Sequence, residues 1–522
     1  MKLIKEIKLN PNYQEKDLLN AICKKTKLIS KDIMSYEIIT LGIDARKKPN
    51  VKIVLNIAIN VKKEKVYLLK NFEDIIPDHQ GISYNKKSSK KQPVIVGFGP
   101  SGMFCALALA LAGYNPIVLE RGKCVQERQN DVSEFWTKGN LNENSNVQYG
   151  EGGAGTFSDG KLNTTLNNKY CKKVINEFIL NGAPKEIFYK NKAHIGTDNL
   201  KQIVVNIRNK IIKNGGKVLF SAKFINFETK NGQICSVSYL DLNSNKIFNI
   251  ETDNLILATG HSAIDVFELL KKQNVKLRKK PFAMGVRIEM PQSLVNLAQY
   301  GQESNYLPPA DFKLVEHLEN HRSVFSFCMC PGGEVVASSS EKGSIVTNGM
   351  SNFKRDGKYA NSALLVNVTP EDFEGEDVLS GLYFQRKYEK LAYNMTKGYS
   401  APAMTVGDFL NQKNNFDKEL FCTYKPKITF CDINQCLPDF VAESIKQALP
   451  LLNNKLKGIT NPTNILIAPE TRSSCPVQFE RDQDYSCTFK GLRAIGEGAG
   501  FAGGIISSAV DGLKCAENII NN

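Results

Sequence analysis

Hydrophobic spacing at the amino terminus alternates, shifts to a helical period and then alternates again. Residues 3–9 read as a strand, 14–27 as a helix with Leu18, Leu19 and Ile22 on one stripe, and 34–41 and 52–61 as two more strands. A short strand is expected at 66–69, and the turn-rich, basic segment 44–50 joins the two longer strands. Together residues 1–83 read as a small α+β unit. Residues 84–92 are polar, charged and aperiodic, which predicts a linker.

The pattern changes at Val94. Val94, Ile95 and Val96 form a continuous apolar run, and Gly97-Phe98-Gly99-Pro100-Ser101-Gly102 follows as G-x-G-x-x-G. A helix is predicted over 101–112 and a second strand over 116–119, ending at Glu120 about twenty residues beyond the glycines. This order of strand, glycine turn, helix, strand and acid is the dinucleotide-binding βαβ pattern: the first glycine makes the turn, the second admits a pyrophosphate, the third lets helix and strand pack closely. Residues 146–161 then place five glycines within Gly150–Gly160, forbidding regular structure and favouring a ligand-facing loop.

Downstream, a helix is expected over 199–214 and strands over 215–224, 233–239 and 246–251. They lead into the apolar strand that ends at Ala258-Thr259-Gly260. Further strands are expected at 281–289 and 362–368 and a helix at 377–396. Near the carboxyl terminus come Gly496-Glu497-Gly498, Gly503-Gly504 and a helix over 505–519.

A Rossmann opening, a β-meander, an Ala-Thr-Gly strand end and a late glycine-rich turn before a helix resemble the glutathione-reductase-type FAD fold. That resemblance implies an α/β FAD-binding domain split into 93–270 and 461–522, with a β-rich α+β substrate or cap domain inserted over 271–460. It implies FAD held by Gly97, Gly99, Pro100, Ser101, Gly102, Glu120, Arg121, Arg128, Gly153, Ala154, Ala258, Thr259, Gly260, Gly496, Glu497, Gly503, Gly504 and Ile505. Glu497 stands where aspartate is commoner, against the ribityl chain. Over nearly its whole length, through 146–161, Phe327-Cys328-Met329-Cys330-Pro331-Gly332-Gly333, 401–403 with 407–409 and 497–504, the chain resembles a bacterial family of FAD-dependent dehydrogenases with a small N-terminal domain. The family pattern has glutamine where this chain has Met404.

Catalytic candidates are polar side chains at glycine-rich or strand-end positions: Glu151, Ser158, Asp159, Lys161, His261 and Arg472, with Glu470, Ser473 and Ser474 beside the last. Arg287 and Glu289 point either to a pocket or to solvent from a half-buried strand. Cys328 and Cys330 would share a strand face; they are expected to be small buried hydrophobes, since a C-x-C disulfide closes a strained ring.

The net charge of +15 is uneven: residues 1–92 hold 20 Lys/Arg against 10 Asp/Glu. A solvated lysine-rich surface accounts for this more simply than a nucleic-acid face. Thirteen scattered cysteines without C-x-x-C argue against zinc and for reduced thiols in a cytoplasmic protein, and no metal is expected. His317 and His321 are spaced for one face of a solvated helix. The longest apolar run, 103–113, is too short to span a bilayer.

The function expected is an oxidoreductase passing hydride through FAD to or from a small organic substrate, with NAD(P)H as transient donor because no second G-x-G-x-x-G is evident. Two alternatives stand beside it: an RNA-linked flavoprotein using residues 1–92, and a non-catalytic FAD-binding sensor. The sequence leaves the oligomeric state open.

Overall fold

Three apolar runs that the sequence separates widely, Val94–Val96, Leu255–Leu257 and Leu492–Ala494, lie side by side in the computed structural model. The structure describes residues 1–87, 91–166, 168–302, 305–413 and 419–521. These runs belong to a five-stranded parallel sheet in the order Leu492–Ala494, Leu255–Leu257, Val94–Val96, Ile117–Leu119, Lys217–Leu219. Such short strands hold because all but the edge strand Lys217–Leu219 are largely buried, as a parallel sheet covered on both faces requires. The chain leaves Val94–Val96 on one side and returns on the other, so a crevice opens at the strands' carboxyl ends between Val94–Val96 and Leu255–Leu257.

Helix Pro100–Leu111 packs against helix Ile505–Asn521. Small residues let them approach: a Cβ on Gly512 would lie 2.1 Å from the Ser101 carbonyl oxygen, and one on Gly102 would lie 2.1 Å from that of Gly97. The meander forms as an antiparallel sheet of Ala222–Lys230, Gln233–Asp241 and Lys246–Glu251. The single strand expected at 215–224 is two, because Ser221 adopts the left-handed region (φ 54°) and hands the chain from the parallel sheet to the meander.

A seven-stranded mixed sheet fills the middle of the chain, in the order Val315–His317, Ser323–Cys330, Tyr359–Val368, Phe282–Pro291, Ile465–Glu470, Ala401–Thr405, Ile428–Phe430. Helix Asp439–Lys455 covers it. The boundary expected at residue 460 divides this sheet, since Ile465–Glu470 pairs with Phe282–Pro291. Entry and exit are marked instead by the ribbon of Leu277–Lys279 with Val477–Phe479. Met404, in place of the family's glutamine, is buried in the sheet opposite Leu466.

The amino-terminal unit is a four-stranded sheet, Ile33–Asp44, Lys52–Val61, Lys2–Leu9 and Glu73–Asp74, with helix Glu15–Thr26 beside it. Residues 66–69 are not a strand: Lys63–Leu69 coils as a 3-10 helix that buries only Leu69. The expected linker is docked on the half that holds the five-stranded parallel sheet: the Lys87 amide donates to the Ala112 carbonyl at 2.8 Å and the Tyr84 hydroxyl to Glu517 at 2.9 Å. Residues 88–90 of it lie outside the described residues. His317 is on an edge strand and His321 in a turn, so they share no helix face. Among the described residues no helix is long and apolar enough to cross a membrane, and no group of side chains is arranged to hold a metal.

Candidate functional site

The crevice at the strand ends opens into a cleft of about 990 Å³, bounded by the glycine turn, the Gly150–Lys161 segment, the Ala258–Gly260 strand end, the Gly503–Ile505 turn and the wall of the inserted sheet. Helix Pro100–Leu111 has Gly99 as its N-cap and directs its unpaired first amides at one end. Helix Ile505–Asn521 opens on the other.

The glycines of this cleft fall into two kinds. Gly97, at φ +102°, has the Ala258 carbonyl oxygen 2.4 Å from where its Cβ would be, and Gly102 meets the Gly97 carbonyl. Protein packing demands both. Gly99 would place a Cβ no nearer than 3.9 Å to any atom, and Gly503 would meet nothing within 4 Å. No atom of the protein requires glycine at these two cleft-lining positions, and what they leave clear is the space beside two helix N-termini where an anion binds. That cradle, between a strand end and paired helix starts, fits an FAD pyrophosphate and ribityl chain.

Glu120, expected from the sequence to hold the cofactor, is buried at the second strand's end with its carboxylate largely engaged. It accepts the amides of Phe98 at 2.8 Å, Gly122 at 2.9 Å and Gly150 at 2.9 Å, joining the glycine turn to the glycine-rich segment. Arg121 is paired with Asp265 at 2.7 Å and lies over the Tyr149 ring at 4.6 Å, making a flat wall.

Of the cofactor residues expected, Gly97, Gly99, Pro100, Ser101, Glu120, Arg121, Gly153, Ala154, Ala258, Thr259, Gly260, Glu497, Gly503, Gly504 and Ile505 line the cleft, whereas Gly102, Arg128 and Gly496 do not. Gly102 serves close packing against Gly97 and Ala258, and Gly496 against Ser101. Arg128 is fully buried behind the glycine-rich segment. It donates to the carbonyls of Asn146 at 2.8 Å, Glu151 at 2.6 Å, Val147 at 2.9 Å and Gly153 at 2.9 Å. Burial brings its pKa down to about 10, with Glu120 and Glu151 acting against the fall, so it stays charged at neutral pH.

Glu151 also moves out of the catalytic set. It is buried away from the cleft, accepting the Val125 amide at the start of helix Val125–Lys138 at 2.8 Å and pairing with Arg208 at 2.9 Å. Burial raises its pKa against these partners.

Ser158, Asp159, Lys161, His261 and Arg472 all reach the cleft. Ser158 is used locally, donating to Gly155 at 2.7 Å. Asp159 is held by Ser351 at 2.6 Å, Arg355 at 2.5 Å and Lys161 at 2.6 Å. Burial would raise its pKa, yet the two cations hold it well below the ordinary carboxylate range. Arg472 is committed to Glu389 at 2.8 Å and Ser340 at 2.5 Å. Burial opposes its charge, but Glu389 keeps its pKa above the ordinary arginine value. His261 sets Nδ1 3.0 Å from Glu497 Oε1, and its buried Nε2 has no hydrogen-bond partner. Burying such a nitrogen unmatched costs about 1–3 kcal/mol, which points to a ligand atom or water as its partner.

Arg287 and Glu289 are both buried, so neither faces solvent. Arg287 clamps Glu470 at 2.8 and 2.5 Å, and Glu470 lines the cleft; Glu289 turns away to accept the Thr423 amide at 3.0 Å. Sequence reasoning missed Arg355, Ser351 and the Arg481–Asp511 pair, which approach the site from distant positions without a motif. Cys328 is also a correction: it is half-buried on the cleft wall and breaks its strand, rather than packing as a buried hydrophobe.

Residues 281–473 match the family described as FAD-dependent protein, C-terminal domain-like, and residues 1–60 match a domain of unknown function, DUF8436. The chain is 46% identical over 527 residues to an uncharacterized protein of Clostridium beijerinckii, covering 98% of each. The chain therefore belongs to one family with that Clostridium protein, and within it residues 281–473 carry the domain described for FAD-dependent proteins. Among solved structures, a mutant Escherichia coli quinol fumarate reductase is similar at 11% identity over 83% of this chain and 70% of that one, with a TM-score of 0.38. The glycerol-3-phosphate dehydrogenase of Bacillus halodurans complexed with FAD is similar at 11% identity over 83% and 64%, with a TM-score of 0.36. Likenesses this distant set no constraint on the reaction.

Proposed function

We propose that the cleft binds FAD in the manner of the glutathione-reductase-type fold and that the protein is an FAD-dependent oxidoreductase acting on a small organic substrate. The observation that carries this reading is the pair of cleft glycines, Gly99 and Gly503, that no protein atom requires, each beside a helix N-terminus. Gly97–Ser101 and the start of helix Pro100–Leu111 hold the pyrophosphate, Arg121 and Ala258–Gly260 border the adenosine, and Glu497 with Gly503–Ile505 holds the ribityl and flavin end. FAD supplies the two-electron chemistry. Lys161, fixed by Asp159, orients an anionic substrate group. Burial opposes the charge of its ammonium, but Asp159 keeps its pKa above the ordinary lysine value, so it acts as a cation and not as a proton donor. His261 Nε2 is the group available to hold or pass a proton, with Glu497 fixing the ring through Nδ1.

Reduced nicotinamide is the proposed donor, bound transiently over the flavin. Purified protein mixed anaerobically with NADH and with NADPH tests this: bleaching of the oxidised flavin band within seconds by one of them supports the donor. A flavin that stays oxidised with both removes the nicotinamide step, and protein that cannot be reconstituted with FAD removes the whole reading.

A further inference from the structure

The strand Ser323–Cys330 carries two thiols that the flavin reading does not use. In a regular strand, residues i and i+2 are about 6.6 Å apart with parallel side chains, whereas a disulfide needs Cβ atoms at about 3.5–4.5 Å. Here the strand is not regular. Phe327 pairs with Ala363 and Cys330 with Asn361, so Cys328 and Met329 together face the single residue Ser362 in a bulge. Cys328 takes the left-handed conformation at φ 42°, a strained choice for a residue with a side chain. Arg287 holds the bulge by donating from Nη1 to the Cys328 carbonyl at 3.2 Å, and the Cys330 thiol donates to the same carbonyl at 3.3 Å. Cys328 lines the cleft; Cys330 behind it is fully buried.

The charges around Cys328 come from three other segments: Lys161 from the glycine-rich loop, Arg287 from strand Phe282–Pro291 and Glu470 from strand Ile465–Glu470. Interaction with the Cys330 side chain lowers the Cys328 pKa, and Lys161 and Arg287 add to this against burial and Glu470. The Cys330 thiol is pushed the other way, first by its interaction with the Cys328 side chain and then by burial. One sulfur is therefore a nucleophile at neutral pH and its neighbour a protonated reserve.

We propose that Cys328 and Cys330 form a dithiol couple on the cleft wall, Cys328 attacking a small disulfide substrate and Cys330 resolving the product. A nucleophile meant for carbon would not need a second thiol sealed behind it; a bond to sulfur does, because only another thiol releases it. In the first step the Cys328 thiolate bonds to one substrate sulfur, the substrate S–S bond breaks and one thiolate leaves. Cys330 then gives its proton to that thiolate and attacks Cys328 Sγ, expelling the second substrate thiolate. The substrate disulfide gains two electrons, and the dithiol loses two as the Cys328–Cys330 bond forms.

The couple requires no flavin, so its test is separate from that of the FAD reading. Full-length protein, reduced and freed of reductant, is pulsed with iodoacetamide from about pH 5 to 9 and mapped by peptide mass spectrometry. Cys328 is expected to alkylate at least about tenfold faster at pH 7 than Cys23, another half-buried thiol, with its rate rising at a lower pH than that of Cys23. Dithiobis(nitrobenzoate) is expected to release both of its thiolates at this site and leave a Cys328–Cys330 peptide two hydrogens lighter. In Cys330→Ser it should release one and stay attached to Cys328. Alkylation of Cys328 no faster than of Cys23, or a mixed disulfide that persists on Cys328 in the unaltered protein, overturns the proposal, and neither outcome needs the variant to fold.

Discussion

At the scale of single residues, the signals that proved informative were absences of side chains and the misleading ones were charges. The glycine spacing at 97, 99 and 102 located the turn correctly: Gly97 and Gly102 answer to close approaches of backbone, and Gly99 leaves space on the cleft side. Arg128 and Glu151 were legible as polar residues near that turn, but nothing in the sequence says which side of a loop a long side chain takes. Both point into the protein and hold the loop from behind. Gly99 gives the sharpest residue-level prediction. Its φ of −74° suits any residue and its Cβ would meet only Gly153 at 3.9 Å, so Gly99→Ala should leave the thermal midpoint of the flavin-free protein within about a degree. FAD affinity should fall by about tenfold, a loss of about 1.4 kcal/mol, when a methyl group occupies the pyrophosphate's place. Flavin fluorescence titration measures it; unchanged affinity would show that no ligand approaches this glycine.

At the scale of elements, hydrophobic period located most strands and helices to within a few residues, and the failures occurred where one backbone dihedral overrides the pattern. Ser221 splits one apolar run between two sheets, and Cys328 bulges another; neither residue type announces a positive φ. The glycine-rich segment is an element of a different kind, regular only over the short 3-10 helix Gly153–Phe157. Its shape comes from the Arg128 guanidinium, which gathers four of its flanking and internal carbonyls, and from the Glu120 carboxylate, which gathers amides on either side. Arg128→Met keeps the apolar bulk over the Phe157 ring but removes the guanidinium donor from all four carbonyls, of which Glu151 keeps the Thr156 hydroxyl. At about 1–3 kcal/mol for each buried group left unsatisfied, the segment should no longer stay closed. Hydrogen exchange across residues 146–153 should quicken by at least about a hundredfold, while exchange in helix Asp439–Lys455, on the inserted sheet, stays unchanged. Protection that survives the substitution would mean the loop is shaped by its glycines alone.

At the scale of the whole molecule, the order of the parts along the chain was readable but their joints were not. Composition marked residues 84–92 as a linker because lysine, serine and asparagine carry no periodic apolar signal. The tertiary contacts there are made by the backbone and by isolated side chains, which periodicity cannot register. Ile82, just upstream, is 5% exposed and packs in the core of the nucleotide-binding half, and its amide donates to the buried Glu177 carboxylate at 3.3 Å. Asn176 donates to the carbonyls of Asp78 at 2.9 Å and Gln80 at 3.0 Å, so the segment from 78 to 87 is a strap bound along two helices and not a tether. The two descriptions separate on one substitution in the full-length chain. Ile82→Ala in a tether would change stability by no more than about 0.5 kcal/mol, whereas a core isoleucine truncated to alanine costs about 2–5 kcal/mol. The strap therefore requires a clear fall in the urea midpoint followed by tyrosine fluorescence, and the loss should be felt by the nucleotide-binding half, where Ile82 is buried. If the midpoint does not move, residues 78–87 join the two halves without stabilising either.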